Sequence, residues 1–139
     1  MIELTIDGPP VPQPRHKVSA WGGRARAYIA ARHPIHAYKA GIAIVARTRI
    51  SKPLECWLAI DIEAIYGRPE SHRTKTGLSK SAPAFPGGVG DWDNLAKAVC
   101  DALQGIAYQN DHQVVDGRCR KRYAEPGERP RTVISIREV

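Results

Sequence analysis

Apolar and polar residues alternate from Ile2 to Asp7, with Ile2, Leu4 and Ile6 set against Glu3, Thr5 and Asp7. A period of two places the apolar set on one face, the mark of a half-buried strand. The alternation is longest in LECWLAIDIEAIY, residues 54 to 66, where Leu54, Cys56, Leu58, Ile60, Ile62, Ala64 and Tyr66 share a face. That length suits a central strand. Helical spacing appears at residues 36 to 50: Tyr38, Ile42 and Val45 form a stripe, and Arg47 and Arg49 fall near the C-terminal end, where cations suit the helix dipole. A second helix is predicted from about Asn94 to Gln104, burying Leu95, Val99, Ala102 and Leu103. Asp93 fits its N-cap and Gly105 its stop. Ile106 to Tyr108 reads as a short strand and residues 109 to 111 as a turn. Another strand over 112 to 123 carries Arg118, Arg120 and Arg122 on one face, EPGERP is a hairpin-type loop, and Thr132 to Val139 is a last strand.

Two segments lack a period. GPPVPQPRHK is a stiff, proline-rich arm ending in Arg15, His16 and Lys17, followed by a Gly22-Gly23 turn and a short strand with Arg24 and Arg26. Residues 67 to 90 are rich in Gly, Pro, Ser and Lys. They are expected to form a long loop, either a flexible insert or a DNA-contacting element. The order of elements predicts an α+β fold: a single domain over residues 1 to 139, with two α-helices packed on a mixed β-sheet.

Composition narrows the class. With 42% hydrophobic but only 6% aromatic residues, the core must rest on Ile, Leu, Val and Ala. No apolar run approaches the roughly 18 residues of a membrane span. The start, MIELTIDG, carries acids where a signal peptide needs a basic, then apolar, stretch, so no membrane and a cytoplasmic location are expected. Cys56, Cys100 and Cys119 are scattered, with no CxxC pair, which argues against a disulfide framework or zinc cluster. The net charge is +7, and its placement is uneven: residues 1 to 54 hold nine Lys/Arg and two acids, whereas residues 55 to 139 hold twelve of each. A basic field of this kind suits a polyanion, nucleic acid first.

Against that background GDWDNLAK, residues 90 to 97, stands out. An N-cap explains Asp93 but not Asp91 beside it. Two close carboxylates repel unless a cation neutralises them. Oxygen-rich ligation without thiolates suits Mg²⁺, or Mn²⁺ as a substitute. Asp111 is a third candidate acid, if an antiparallel return of residues 106 to 111 brings it beside Asp93. Spacing leaves Lys97 two roles: a cation near the scissile phosphate, or a surface partner of Asp101 at i,i+4.

DWDNLAKAVCDAL, then Gly105, then Asn110-Asp111 and HQVVD, resembles the central motif of the RusA family of Holliday-junction resolvases and related endodeoxyribonucleases. The family pattern is D-x-D-N-x-x-K, a D-A-L, and an acidic turn before Q-V. The match covers residues 91 to 116 and extends more weakly into the Pro-rich start, RARAYI and RPESHRTKTGLSKSAP, as in phage-type members. The resemblance implies metal binding by Asp91, Asp93 and Asp111, with Lys97 completing the catalytic set and Asn94 in a supporting role. Asn110 departs from the family, which commonly carries a second acid there. Asp101 and Asp116 read as structural. The resemblance also implies a homodimer, whose two-fold symmetry suits two symmetric nicks. The implied partner is branched DNA, with four-way junctions first. A broader flap or fork nuclease, and a non-catalytic junction-binding module, are the alternatives. Arg15, Lys17, Arg24 and Arg26 are candidate phosphate contacts. Trp92 is either core or a wedge at a branch point.

Overall fold

A computed structural model describes all 139 residues, apart from the side chain of Trp21. Along the chain come β1 (Ile2–Asp7), β2 (Lys17–Trp21), β3 (Arg24–Tyr28), α1 (Pro34–Arg49), β4 (Leu58–Tyr66), β5 (Arg73–Thr74), β6 (Gly77–Leu78), α2 (Trp92–Leu103), β7 (Val114–Tyr123) and β8 (Arg131–Glu138). The main sheet has four strands in the order β1-β8-β4-β7. β8 runs antiparallel to both neighbours, while β4 and β7 are parallel. A parallel pair requires a crossover, and α2 supplies it. The result is the expected α+β domain with a mixed sheet and two helices. Among the described residues no helix is long and apolar enough to cross a membrane.

Both helices cover one sheet face. Ile35, Tyr38, Ile42 and Ala46 of α1 and Leu95, Ala98, Val99 and Leu103 of α2 join Leu4, Ile60, Ile62, Ala64, Ile134 and Ile136 in one core. The aliphatic composition is therefore what fills it. Ala46 replaces Val45, which is only partly buried, and α1 begins two residues early because Pro34 opens it and His33 Nδ1 accepts from Ile35 N–H. In α2, Ala98 is buried and Ala102 lies at the margin. One polar bond sits inside: Tyr38 Oη and Thr132 Oγ1 are 2.7 Å apart, and burial pushes the Tyr38 phenol up to about 12.

The opposite face is charged. The alternation of β7 sends Arg118, Arg120 and Arg122 there, as expected, beside Asp61 and Glu63 of β4 at 3.8, 3.7 and 3.1 Å.

Four boundaries differ from the periodic pattern. The central strand starts at Leu58, not Leu54, because Leu54 makes a lone parallel bridge to Tyr108 and the carbonyls of Leu54 and Cys56 accept from the Gln113 amide. The segment after α2 is a tight turn rather than a strand, with Ile106 and Ala107 N–H both donating to Leu103 O. EPGERP joins no hairpin: β7 and β8 lie on either side of β4, and the loop passes its end. Residues 67 to 90 are not structureless. They hold a 3₁₀ turn (Glu70–His72) and the β5–β6 hairpin, and Arg68 anchors them by donating to Pro83 O and stacking 4.2 Å over the Tyr123 ring.

Candidate active site

The tip of α2 is built by contacts from far along the chain. Helical structure begins at Trp92, so Asp91, not Asp93, holds the N-cap position. The capping rule placed the start too late because it weighs only local side-chain chemistry. Three long-range bonds fix this tip. The Trp92 indole N–H donates to Cys119 O at 2.6 Å, Lys121 Nζ to Gly90 O at 2.8 Å, and Gln13 N–H to Asn94 O at 2.9 Å. The proline-rich arm lies so close that a Cβ on Gly90 would stand 2.5 Å from Pro12 Cγ, and Gly90 also has φ +123°. Only glycine suits that position.

Asp91 makes no side-chain capping bond. Asp91 and Asp93 are both exposed, and among the described residues neither is in an ion pair. Two uncommitted carboxylates thus sit in the positive end of a helix dipole. Trp92 between them is 54% exposed with its N–H already bonded, so it is not a core residue.

Lys97 lies one turn further, 57% exposed, with Nζ 3.2 Å from Asp101; Lys39 approaches the same carboxylate at 3.8 Å. The i,i+4 surface pair is therefore present, and Asp101 has the structural part expected of it. Asp116 likewise pairs with Arg137 at 3.2 Å.

Asp111 opens a 3₁₀ turn (Asp111–Gln113) capped by Asn110, whose Oδ1 accepts from His112 N–H at 3.3 Å. Asn110 thus has a capping task in this turn. The turn does not return beside Asp93. α2 and β7 run in opposite directions, so Trp92 meets Cys119 while Cys100 lies against Val114. Asp111 opens the turn just before β7 starts at Val114, which places it by the C-terminal half of the helix. Cys100 is seven residues beyond Asp93, about 10 Å of helical rise. Among the described residues no three His, Cys, Asp or Glu side chains stand close enough to hold one ion together.

The donor chemistry at the tip nevertheless fits a hard cation. Mg²⁺ keeps several waters and is bound through one or two carboxylates plus substrate phosphates, without an all-protein cage. Thiolates are not on offer: burial pushes the Cys119 thiol up to about 11 and raises Cys100 and Cys56, and all three are free.

The candidate phosphate contacts form a separate surface. β2 and β3 pair across Gly22-Gly23, both at positive φ, and the register puts Lys17 opposite Tyr28 and Ser19 opposite Arg26. Directly opposed residues share a face, so Lys17, Arg24 and Arg26 project together, all exposed, with Arg15 exposed on the arm before them. The residues that sequence reasoning missed are those that act on the tip from afar. Gln13 and Lys121 carry no local signal, and the Trp92 bond is invisible until β7 lies beside α2.

The family follows from comparison: residues 7–137 match the model of the family described as Endodeoxyribonuclease RusA. The chain is also 31% identical to the Uncharacterized protein YqaN of Bacillus subtilis (strain 168) over 146 residues, spanning 99% of this chain and 96% of that protein. The chain belongs to the RusA family, whose members are endodeoxyribonucleases that act on branched DNA junctions.

Proposed function

We propose that this chain is a Mg²⁺-dependent endodeoxyribonuclease that resolves Holliday junctions by paired symmetric nicks. The observation that carries the reading is the α2 tip, where Asp91 and Asp93 are exposed, uncommitted and mounted on a backbone fixed by Gln13, Cys119 and Lys121. Asp91 and Asp93 hold the metal, with Mn²⁺ as a substitute ion, and Asp111 stands apart from that ion as a separate acid. When bound, the ion supplies a polarised water and positive charge at the scissile phosphate. Lys97 is free to leave Asp101, since an exposed i,i+4 pair contributes only about 0.3–0.5 kcal/mol. Its ammonium then offsets charge developing on the phosphate oxygens. Asn94 has the supporting role through its carbonyl, which accepts from Gln13 N–H and ties the arm to the tip. The products are 5′-phosphate and 3′-hydroxyl ends. Arg15, Lys17, Arg24 and Arg26 grip the backbone, and a two-fold homodimer presents two sites to opposed strands.

The test is cleavage of a mobile four-way junction beside linear duplex, in Mg²⁺ and in EDTA, by the wild type and Asp93→Asn. The expected result is paired nicks on the junction with metal only, and at least about 100-fold slower cutting by the variant with binding retained. Equal cutting by Asp93→Asn would falsify the assignment. Equal cutting of flaps and forks would replace junction resolution by a general branched-DNA activity. Tight binding with no cutting in any metal would leave a junction-binding module.

A further inference from the structure

Against the 111–113 turn lies a recess of about 220 Å³, lined by Glu55, Cys56, Trp57, Gln109, His112 and Gln113. Trp57 is 57% exposed, although its strand neighbour Leu58 is fully buried. Its ring stands edge-to-face with His112 at 6.4 Å between centroids and 62° between planes. A lone exposed aromatic needs no explanation, but a pair walling a concave site does. The walls are also fixed. Gln113 is buried, donates to Leu54 O and Cys56 O, and accepts from Gln109 and Asn110 N–H, which ties both sides together. Val139 N–H donates to Trp57 O at 3.0 Å and holds the third side.

We propose that this recess receives one unstacked nucleobase of branched DNA, stacked on Trp57 and flanked by His112. The size is below that of drug-like pockets, which suits a single flat ring system. The charge excludes a phosphate. Glu55 lines the recess, and Glu138 stands opposite Leu58 in the sheet, one residue from the Trp57 wall. Carboxylates repel phosphate but accept from exocyclic amino groups, as glutamate does from cytosine. An amino-bearing base is therefore preferred to thymine. Every base offers a π-face to an indole, and a branch point is where bases are already unstacked. The choice of DNA as the occupant rests on the function proposed above, whereas the geometry of the recess does not.

The test places 2-aminopurine at the branch point of a four-way junction and titrates it, in EDTA so that strands stay intact, with the wild type, Trp57→Ala and Trp57→Phe. Light scattering and thermal melts accompany each protein. Stacking contributes enough per base that Trp57→Ala should bind the junction about 10-fold more weakly and lose the fluorescence change, while Trp57→Phe keeps most of both. Linear duplex binding should change by less than about 2-fold. Unchanged junction affinity and an unchanged signal in Trp57→Ala would overturn the proposal. So would a change of oligomeric state, which would make the recess a contact between copies. Because no step requires cleavage, a wild type that fails to cut but shows the Trp57-dependent signal defeats the nuclease reading alone. Normal cutting without the signal defeats the base recess alone.

Discussion

The two acid-bearing segments are mounted by opposite strategies. The tip of α2 is held by several weak attachments from different places: an indole, an ammonium, a backbone N–H from the arm, and a glycine-only contact with Pro12. The 110–113 turn depends on one residue, since the Gln113 amide makes four of its bonds to backbone groups on both sides. In both places the holding groups act on backbone and leave the carboxylates of Asp91, Asp93 and Asp111 exposed. Distributed anchoring tolerates the loss of any one contact, whereas a single buried amide does not. The difference lies in packing and reaches function through how firmly each acid is presented.

The comparison can be broken first at Gln113. Gln113→Ala leaves four part-buried backbone groups without partners, each losing less than the roughly 1–3 kcal/mol of a fully buried one. A loss of about 3 kcal/mol, and a fall of more than about 10 °C in melting temperature, should follow. A melt within about 2 °C of the wild type would show that this mount is not concentrated in one residue. At the tip, Trp92→Phe removes one hydrogen bond and should cost only about 1 kcal/mol, with junction cleavage slowed a few-fold and binding unchanged. A loss of folding in that variant would sink the idea of distributed anchoring.

The smallest effect belongs to a region in neither mount and serves as a control. The Arg122 guanidinium, helped by Glu125 N–H, holds the Glu128 carboxyl down at about 2 against an ordinary 4.5. A depressed carboxylate contributes stability that is present above about pH 4.5 and lost as pH falls toward 2. Glu128→Gln should therefore flatten the acid limb of a melting-temperature profile in that window, while the junction signal at neutral pH stays as in the wild type. An acid limb identical to the wild type would remove Glu128 from the account.

Much of this was legible in the chain because it is local. The alternation at Ile2–Asp7 and the stripe of Leu95, Val99 and Leu103 each need only a few residues of context. The spacing of Asp91, Asp93 and Lys97 is likewise a property of one helix. What escaped was non-local. Nothing in Arg131–Glu138 says that it inserts between β1 and β4, because antiparallel partners 66 to 134 residues apart leave no periodic trace. Cys56 continues an apolar alternation, yet its carbonyl is claimed by a glutamine 57 residues later. The helix start was misplaced for the same reason, since Cys119 and Lys121 decide it. Asp111 stood beside Asp93 only on the assumption of an antiparallel return, and the direction of β7 carried it to the other end of α2.

The outer margin of β7 has a further consequence, for solubility. A ten-residue strand at the rim of a sheet is an open template for another chain to extend. Here Trp92 occupies one of its carbonyls, and exposed Arg118 and Arg120 flank that point. Two such rims meeting antiparallel about Cys119 would set arginine against arginine across the seam. The indole that fixes the acid-bearing tip therefore also blunts an edge that offers itself to a further strand.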